Sequence, residues 1–262
     1  MAIDHIHPVQ TTGAVMDFGV IALAAFAIFF YLQAAVATNK KMKKWPLIRI
    51  VYWHLGILCI VVVFVGPIGD RAHTDFTVHM AGHLLLGMLA PLLIVLSAPM
   101  TLVLRTLSTV HARKVTRMLK SLPLRLLSHP LTAAVLNTGG LFVLYRTELY
   151  VWMHEYVLVS FLVHFHMFAA GYLFTASILY VDPTPHRFSF SYRSSVLIFA
   201  LAGHAILSKM IYADPPETVA DSEGKTAGML MYYGGDAIDL FIIFILWLQW
   251  YKAARPKAIV SG

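Results

Sequence analysis

Two histidines four residues apart are the first residues of this sequence that could bind a metal ion together. His79 and His83 stand at the start of an apolar run that continues to Pro91. On a helix, this spacing places both imidazoles on one face, as a metal ion requires of two ligands from one element. His73 lies just upstream. The pattern predicts a metal site on this helix, open toward the side where the helix begins.

The elements that carry these histidines are predicted to be membrane-spanning helices. Of the 262 residues, 59% are hydrophobic and 13% are charged, which is far too apolar for an average water-soluble domain. A helix needs about 20 apolar residues to cross a hydrocarbon core of about 30 Å. Seven segments have this composition: residues 14–36, 47–66, 77–98, 130–146, 154–180, 194–212 and 231–251. We therefore predict an all-α membrane protein, a seven-transmembrane-helix bundle that forms one domain over residues 1–262.

The distribution of charge predicts how this bundle is oriented. The 20 Lys and Arg lie on one side except for Arg71, Arg146, Lys209 and Lys225, whereas of the 13 Asp and Glu only Asp182 lies in a loop of that side. Basic loops stay in the cytoplasm during membrane insertion. The N-terminus is therefore predicted outside the cell and the C-terminus in the cytoplasm.

The net charge of +7 raises the question of a nucleic-acid partner. The basic residues are juxtamembrane and lack interleaved aromatics, so membrane topology and anionic lipid explain them better than nucleic acid does. The segment from Thr101 to Ser128 carries much of this charge and could form an amphipathic helix at the lipid surface. Its apolar residues would be Val115, Met118, Leu119, Leu122 and Leu126.

Ionisable residues of four predicted helices fall at a similar depth. Counting about 1.5 Å per residue from each outer end gives depths of roughly 10–15 Å, for His83, His204, Asp239 and His164. His79 and Asp236 lie nearer the outer surface of two of these helices. Ionisable groups inside a membrane are costly and mark function by default. The convergence predicts one polar site in the outer half of the bundle.

Helix geometry limits which neighbouring residues can share this site. His164 and His166 point about 200° apart and cannot both face it, and depth favours His164. Pro91 predicts a kink about one turn below His83. Cys59 and His54 are interpreted as packing residues. The predicted metal is copper or zinc, because imidazole suits both.

Several function classes remain open at this point. No Gly-rich phosphate loop, zincin helix or nucleophile elbow occurs, so the sequence does not predict an enzyme. A membrane cytochrome could use His83 with His204 or His164 as axial haem ligands. A metal- or proton-coupled transporter is a second alternative, for which a mixed His and Asp lining is typical, but a matching polar path in the inner half is missing, where only His54 and Asn137 are obvious. A metal-free assembly scaffold, with structural histidines, is the third.

Short motifs follow one another in order over about residues 45–250. They are His79-Met80-Ala81-Gly82-His83-Leu84-Leu85-Leu86, Ala90-Pro91-Leu92-Leu93, Ser97-Ala98-Pro99, His129-Pro130, His164-Phe165-His166, Asp182-Pro183-Thr184-Pro185, His204 and Tyr233-Gly234-Gly235-Asp236. In order and spacing they resemble the membrane-integral CtaG family of cytochrome c oxidase assembly factors, which are bacterial proteins of the inner membrane. The resemblance implies help in building the haem-copper centre of the oxidase catalytic subunit.

Copper supply is the chemistry that this resemblance implies. Cu(I) is favoured, with zinc as an alternative, and a soluble copper carrier on the outer side is a further expected partner. In this hypothesis His79, His83 and His204 bind the ion. The remaining candidates complete or tune the site or, in the case of His73 and the outer methionines, form its access route: His164, Asp236, Asp239 and His73.

Overall fold

Helices make up 84% of the described residues, and no strand occurs among them. The computed structural model describes residues 8–184 and 186–255, with side chains from residue 16 onward. The helices are α1 (Pro8–Lys41), α2 (Leu47–Phe64), α3 (Pro67–Ala72), α4 (Phe76–Leu84), α5 (Ala90–Leu96), α6 (Pro99–Thr106), α7 (Thr109–Leu119), α8 (Leu122–Leu127), α9 (Pro130–Ala134), α10 (Gly140–Arg146), α11 (Leu149–Glu155), α12 (Val157–Ile178), α13 (Phe190–Ala213) and α14 (Asp221–Ala254). Two π-helical segments, π1 (Leu85–Leu89) and π2 (Val135–Gly139), join α4 to α5 and α9 to α10.

Six helices of the described chain are long and apolar enough to cross a membrane. They cover Met16–Lys41, Leu47–Phe64, Phe76–Leu96, Val157–Ile178, Phe190–Ala213 and Asp221–Ala254. The prediction of an all-helical, multi-pass membrane protein is confirmed. The segment predicted as a fourth span runs through α9, π2 and α10, and at about 1.5 Å per residue it measures about 26 Å, short of a core of about 30 Å. Seven spans and the orientation of the termini stay predictions.

Two predicted boundaries differ from the structure at the same end of the bundle. The fifth span was predicted from residue 154, but Tyr156 separates the short α11 from α12, which begins at Val157. The seventh was predicted from residue 231, whereas α14 begins at Asp221. Asp221 and Glu223 lie in its first turn, where carboxylates interact favourably with the helix dipole. Polar residues therefore extend α14 beyond its apolar stretch.

The helix formed by α4, π1 and α5 is the most buried of the six candidate spans and packs against α2, α12 and α14. Asp75 begins it, since its side chain accepts hydrogen bonds from the backbone N–H groups of Thr77 and Val78. This cap satisfies two of the donors that a helix start leaves free. The central helix thus carries His79 and His83 into the bundle from a fixed starting point.

Pro91 determines the irregular turn below His83. Its ring would clash with the carbonyl of the residue four positions earlier, Gly87, in a regular α-helix. The chain instead forms π1, in which the N–H of Ala90 bonds to the carbonyl of Leu85. The carbonyl of Gly87 lies against Gly171 of α12, where a Cβ atom would overlap it. The irregularity that Pro91 causes is therefore a π-helical turn directly after α4, at the position where a kink was predicted.

The two ends of the bundle differ in charge. At one end Arg146 forms a salt bridge of 2.7 Å with Asp214. At the other, the guanidinium groups of Arg49 and Arg105 lie over the ring of Trp45, 4.7 and 5.2 Å from its centre. We call the first the acidic end and the second the basic end. The acidic end comprises residues 65–75, 147–156 and 214–220, and the basic end residues 42–46, 97–129, 179–184 and 186–189.

Candidate functional site

A small cavity lies between the two main hydrophobic clusters of the bundle. Leu141 of one cluster and Ile242 of the other both line it. Its polar lining consists of His83, Asn137, Thr138, Thr175, His204 and Asp239. The cavity measures about 20 Å³, which accommodates one water-sized species. We call it the central cavity.

Both π-helical segments border the central cavity. Gly87 and Met88 of π1 line one part of it, and Asn137 and Thr138 of π2 line another. Such segments occur preferentially at functional sites because they redirect side chains and interrupt regular backbone pairing. Two irregular turns that meet at one cavity mark it as the candidate site.

His83 and His204 face each other at this cavity. Their ring centres are 6.1 Å apart with planes inclined by 28°, and the residues are 2% and 7% exposed. The Nε2 atom of each ring is buried and has no hydrogen-bond partner among the described residues. An unpaired buried polar atom costs about 1–3 kcal/mol. Two such atoms on facing imidazoles therefore point to a ligand shared between them.

Met167 fixes the chemical state of His83. Its sulfur lies 3.0 Å from Nδ1 of His83, and the methionine is buried. Because a thioether only accepts hydrogen bonds, Nδ1 carries the proton in this contact and Nε2 presents a lone pair. A metal-binding histidine usually donates a hydrogen bond from its second ring nitrogen, and this bond fixes the orientation of the ring. His83 is thus prepared as a ligand through Nε2.

Glycines make room for both imidazoles. A Cβ atom at Gly87 would lie 3.3 Å from Cε1 and Nδ1 of His83. A Cβ atom at Gly235 of α14 would overlap the ring of His204. The ring of His83 therefore packs on the backbone of the next turn of its own helix, and the ring of His204 packs on the backbone of α14. The position of each ring depends on a residue without a side chain.

The two aspartates of α14 have different surroundings. Asp239 is 4% exposed and lines the central cavity. It forms no salt bridge with any residue of the described chain. Asp236 lies on the exposed side of α14 and does not line the cavity. Of the two carboxylates named from sequence, the structure brings only Asp239 to the facing histidines.

His79 is buried beside the cavity but does not line it. Its Nε2 lies 3.1 Å from the hydroxyl of Tyr145, and its ring stacks on Phe76. Tyr145 also contacts His83, with ring centres 6.3 Å apart. The predicted pair on one helix face is thus present, with Tyr145 against both members.

Neither histidine of the pair in α12 reaches the central cavity. Nδ1 of His164 donates to its own helix at the carbonyl of Ser160, 2.8 Å away, and its ring packs against Phe64. Nε2 of His166 donates to the carbonyl of Leu136 at 3.1 Å, with its ring over Gly140. Both rings therefore lie outside the central cavity.

A larger pocket of about 290 Å³ opens at the acidic end. We call it the acidic-end pocket. Its titratable lining residues are His73, Asp75, Tyr150, His154, Glu155 and Glu223. The rings of His73 and His154 are 6.1 Å apart, and His154 is 6.1 Å from His79. The structure therefore places His154 beside both His73 and His79.

Sequence reasoning missed His154, Thr138 and Met167. His154 belongs to α11, which the predicted boundaries merged with the following span. Met167 stands three residues after His164, and that spacing on one helix face could have drawn attention to it. Nothing in the sequence around Thr138 indicates π2, since the segment contains no proline.

The donor set of the central cavity suits a soft ion of low coordination. Within the described ranges, no group of three or more His, Cys, Asp or Glu side chains converges as a metal site. The cavity offers two imidazole nitrogens, with the sulfur of Met167 behind one of them and Asp239 in the lining. Imidazole nitrogens are suitable ligands for copper. The residues present therefore fit copper better than a hard cation.

Comparison with known proteins gives one family match. The model of the Caa3_CtaG family, cytochrome c oxidase caa3 assembly factor, matches residues 29–253. Uncharacterized proteins of Mycobacterium bovis and Mycobacterium tuberculosis are each 35% identical over 190 residues, which cover 67% of this chain and 28% of the relative. One of Mycobacterium leprae is 33% identical over 258 residues, or 87% of this chain and 38% of that protein. The chain thus spans less than half the length of these curated relatives. No solved structure matches it.

Proposed function

Because the chain belongs to the cytochrome c oxidase caa3 assembly factor family, we propose that it holds one copper ion in the central cavity and delivers it to an oxidase. The family indicates a role in assembly, which is non-catalytic. Copper is the cargo of this role and Cu(I) its favoured state. The recipient is the haem-copper centre of the oxidase catalytic subunit, which is itself buried in the membrane.

The facing imidazoles of His83 and His204 carry this proposal. Both Nε2 atoms are buried without a partner among the described residues, and the space between the core clusters accommodates one ion. A bound Cu(I) would satisfy both atoms at once. The same space of about 20 Å³ is far too small for a porphyrin, which favours an ion over haem.

Two neighbouring residues have supporting roles in the proposal. Met167 orients His83 through the contact of its sulfur with Nδ1. The carboxyl of Asp239 offsets the charge of a cation held away from water. His79, His164 and Asp236 lie outside the central cavity, and the proposal assigns them no ligand position.

Location and partners follow from the same proposal. The protein works in the bacterial inner membrane with the acidic end outside, where a soluble copper carrier loads it. At the basic end α7 and α8 expose Val110, Met118, Leu122 and Leu126 beside a run of Lys and Arg. This amphipathic surface lies on anionic lipid. Zinc is the competing ion, and it prefers four ligands over two.

Metal content of the detergent-purified protein tests the holding function. Wild-type protein loaded with Cu(I) should retain stoichiometric copper without a Soret band. The His83→Ala/His204→Ala variant should lose it, whereas His166→Ala, a membrane histidine outside the cavity, should keep it. Equal copper in the double variant, or none in wild type, would contradict the proposal. A Soret band would indicate a cytochrome instead.

Delivery is tested in cells that depend on this protein for oxidase assembly. The oxidase isolated from cells with His83→Ala should contain less copper than the oxidase from wild-type cells, at equal levels of the assembly factor. Unchanged oxidase copper would refute delivery. Normal complex formation by a variant that binds no copper would favour a scaffold with structural histidines.

A further inference from the structure

We propose that the acidic-end pocket is a first binding station, where the imidazoles of His73 and His154 take a Cu(I) ion before it moves inward to His83 and His204. This inference rests on the copper function proposed above and adds a second site to it. It assigns a role to His154, which the sequence analysis did not identify.

The spacing of the imidazoles supports a stepwise path. Ring centres of His73 and His154 are 6.1 Å apart, and those of His154 and His79 are also 6.1 Å apart. His79 and His83 are adjacent on one helix face, at about 5–6 Å between Cβ atoms. His83 and His204 are again 6.1 Å apart. Each imidazole therefore has another within reach of an ion shared by the two.

Exposure to solvent falls along this path. His73 and His154 are exposed. His79 is 5% exposed, His83 2% and His204 7%. The path thus begins at an open pocket and ends at buried nitrogens without a partner among the described residues. An ion that enters at His73 and His154 would exchange water for imidazole ligands in stages.

The charge of the acidic-end pocket favours a cation. Asp75, Glu155 and Glu223 line it, and its described lining contains no Lys or Arg. Asp75 and Glu223 each accept backbone N–H groups of the central helix, which fixes their positions. Clefts lined by one sign of charge raise the local concentration of the opposite ion. Burial, with the charge of Glu223 beside it, raises the pKa of Tyr150, so its phenol stays protonated and neutral.

The pocket is suited to transfer rather than retention. Two exposed imidazoles hold an ion without a third fixed ligand, since no larger metal-binding group exists among the described residues. In the inward step the ion remains Cu(I): a bond to His154 breaks as a bond to His79 forms. With the hydroxyl of Tyr145 as donor and the imidazole proton on Nδ1, the Nε2 lone pair of His79 becomes free for the ion when this hydrogen bond breaks. No oxidant or reductant is required.

The rate of Cu(I) uptake tests this inference. Detergent-purified wild-type protein is mixed with a coloured Cu(I)–bicinchoninate complex, and the decrease in its absorbance is followed by stopped flow. The His73→Ala/His154→Ala variant should take up Cu(I) several-fold more slowly and reach the wild-type stoichiometry. His111→Ala, an exposed histidine of α7 at the basic end, should load at the wild-type rate.

The outcomes separate this inference from the copper function itself. Equal rates for the His73→Ala/His154→Ala variant and wild type would overturn the first station while leaving the central site in place. A loss of final stoichiometry in this variant would also overturn it, because the exposed histidines would then be the holding site. No uptake by wild-type protein would refute the proposed function, and this inference with it.

Discussion

Met167→Leu is the substitution that tests how His83, the proposed copper ligand, is oriented. Leucine keeps the volume of the buried methionine and removes the sulfur that accepts the proton of Nδ1 at 3.0 Å. The Nδ1–H group then lacks a partner, and Nε2 is no longer held as the nitrogen with the lone pair. The copper site should weaken although no direct ligand of the central cavity has changed.

The expected loss of copper affinity follows from the role of Met167 in orienting His83. Loss of the group that orients a metal-binding histidine lowers metal affinity by about 10–100-fold, which is about 1.4–2.8 kcal/mol. Folding should be affected less by the change of shape, since swaps of Leu for Met cost under about 1.5 kcal/mol. The unpaired Nδ1–H group adds about 1–3 kcal/mol in a residue that is 2% exposed.

Competition for Cu(I) against a chromophoric chelator measures the affinity, and thermal unfolding in detergent measures the stability. Met167→Gln is the matched control, because its amide oxygen can accept from Nδ1 without supplying sulfur. If orientation is the main role of Met167, the Gln variant should bind more tightly than the Leu variant. Wild-type affinity in Met167→Leu would refute the reasoning, and equal losses in both variants would show that the sulfur does not act as an acceptor for the Nδ1 proton.

Three further substitutions test the packing and charge near the cavity. Gly235→Ala should lower the Cu(I) affinity in the same competition assay, because its Cβ overlaps the ring of His204. Asp239→Asn should lower that affinity by less than Met167→Leu does, because the carboxyl lines the cavity as a neighbour of the ligands. Gly171→Ala should lower the free energy of unfolding by about 1–3 kcal/mol, measured in detergent, because its Cβ overlaps the carbonyl of Gly87.

Each of these predictions has an outcome that contradicts it. Gly19→Ala is a control for the glycine variants, since nothing lies within 4 Å of a Cβ atom there. Copper affinity of Gly235→Ala equal to that of Gly19→Ala would show that His204 tolerates displacement. Complete loss of copper in Asp239→Asn would make the carboxylate a ligand. Unchanged stability in Gly171→Ala would show that α12 can move away from π1.

Much of the fold follows from apolar segment length, because a bilayer demands long uncharged helices. The boundaries of α2 and of the central helix were predicted within a few residues for this reason. The start of α14 was not, because its first turns are polar and are held by local contacts such as that between Glu223 and Phe76. Hydropathy measures the membrane part of a helix and not its extension into water.

The depths counted along the predicted helices identified His83, His204 and Asp239, which the structure brings to one cavity. Depth alone does not show which side of its helix a residue faces. His164 has a similar predicted depth but bonds to its own backbone, and His79 bonds to Tyr145. Rotation depends on packing and on irregular turns such as π2, which single-sequence patterns do not reveal.

Copper X-ray absorption of the Cu(I)-loaded protein tests the central claim most directly. We expect a low-coordinate copper with imidazole nitrogen scattering. Both His83→Ala and His204→Ala should lose part of that scattering. His166→Ala should give the wild-type spectrum. A spectrum without imidazole scattering, or one that neither cavity substitution changes, would contradict the claim that these two facing histidines hold the ion.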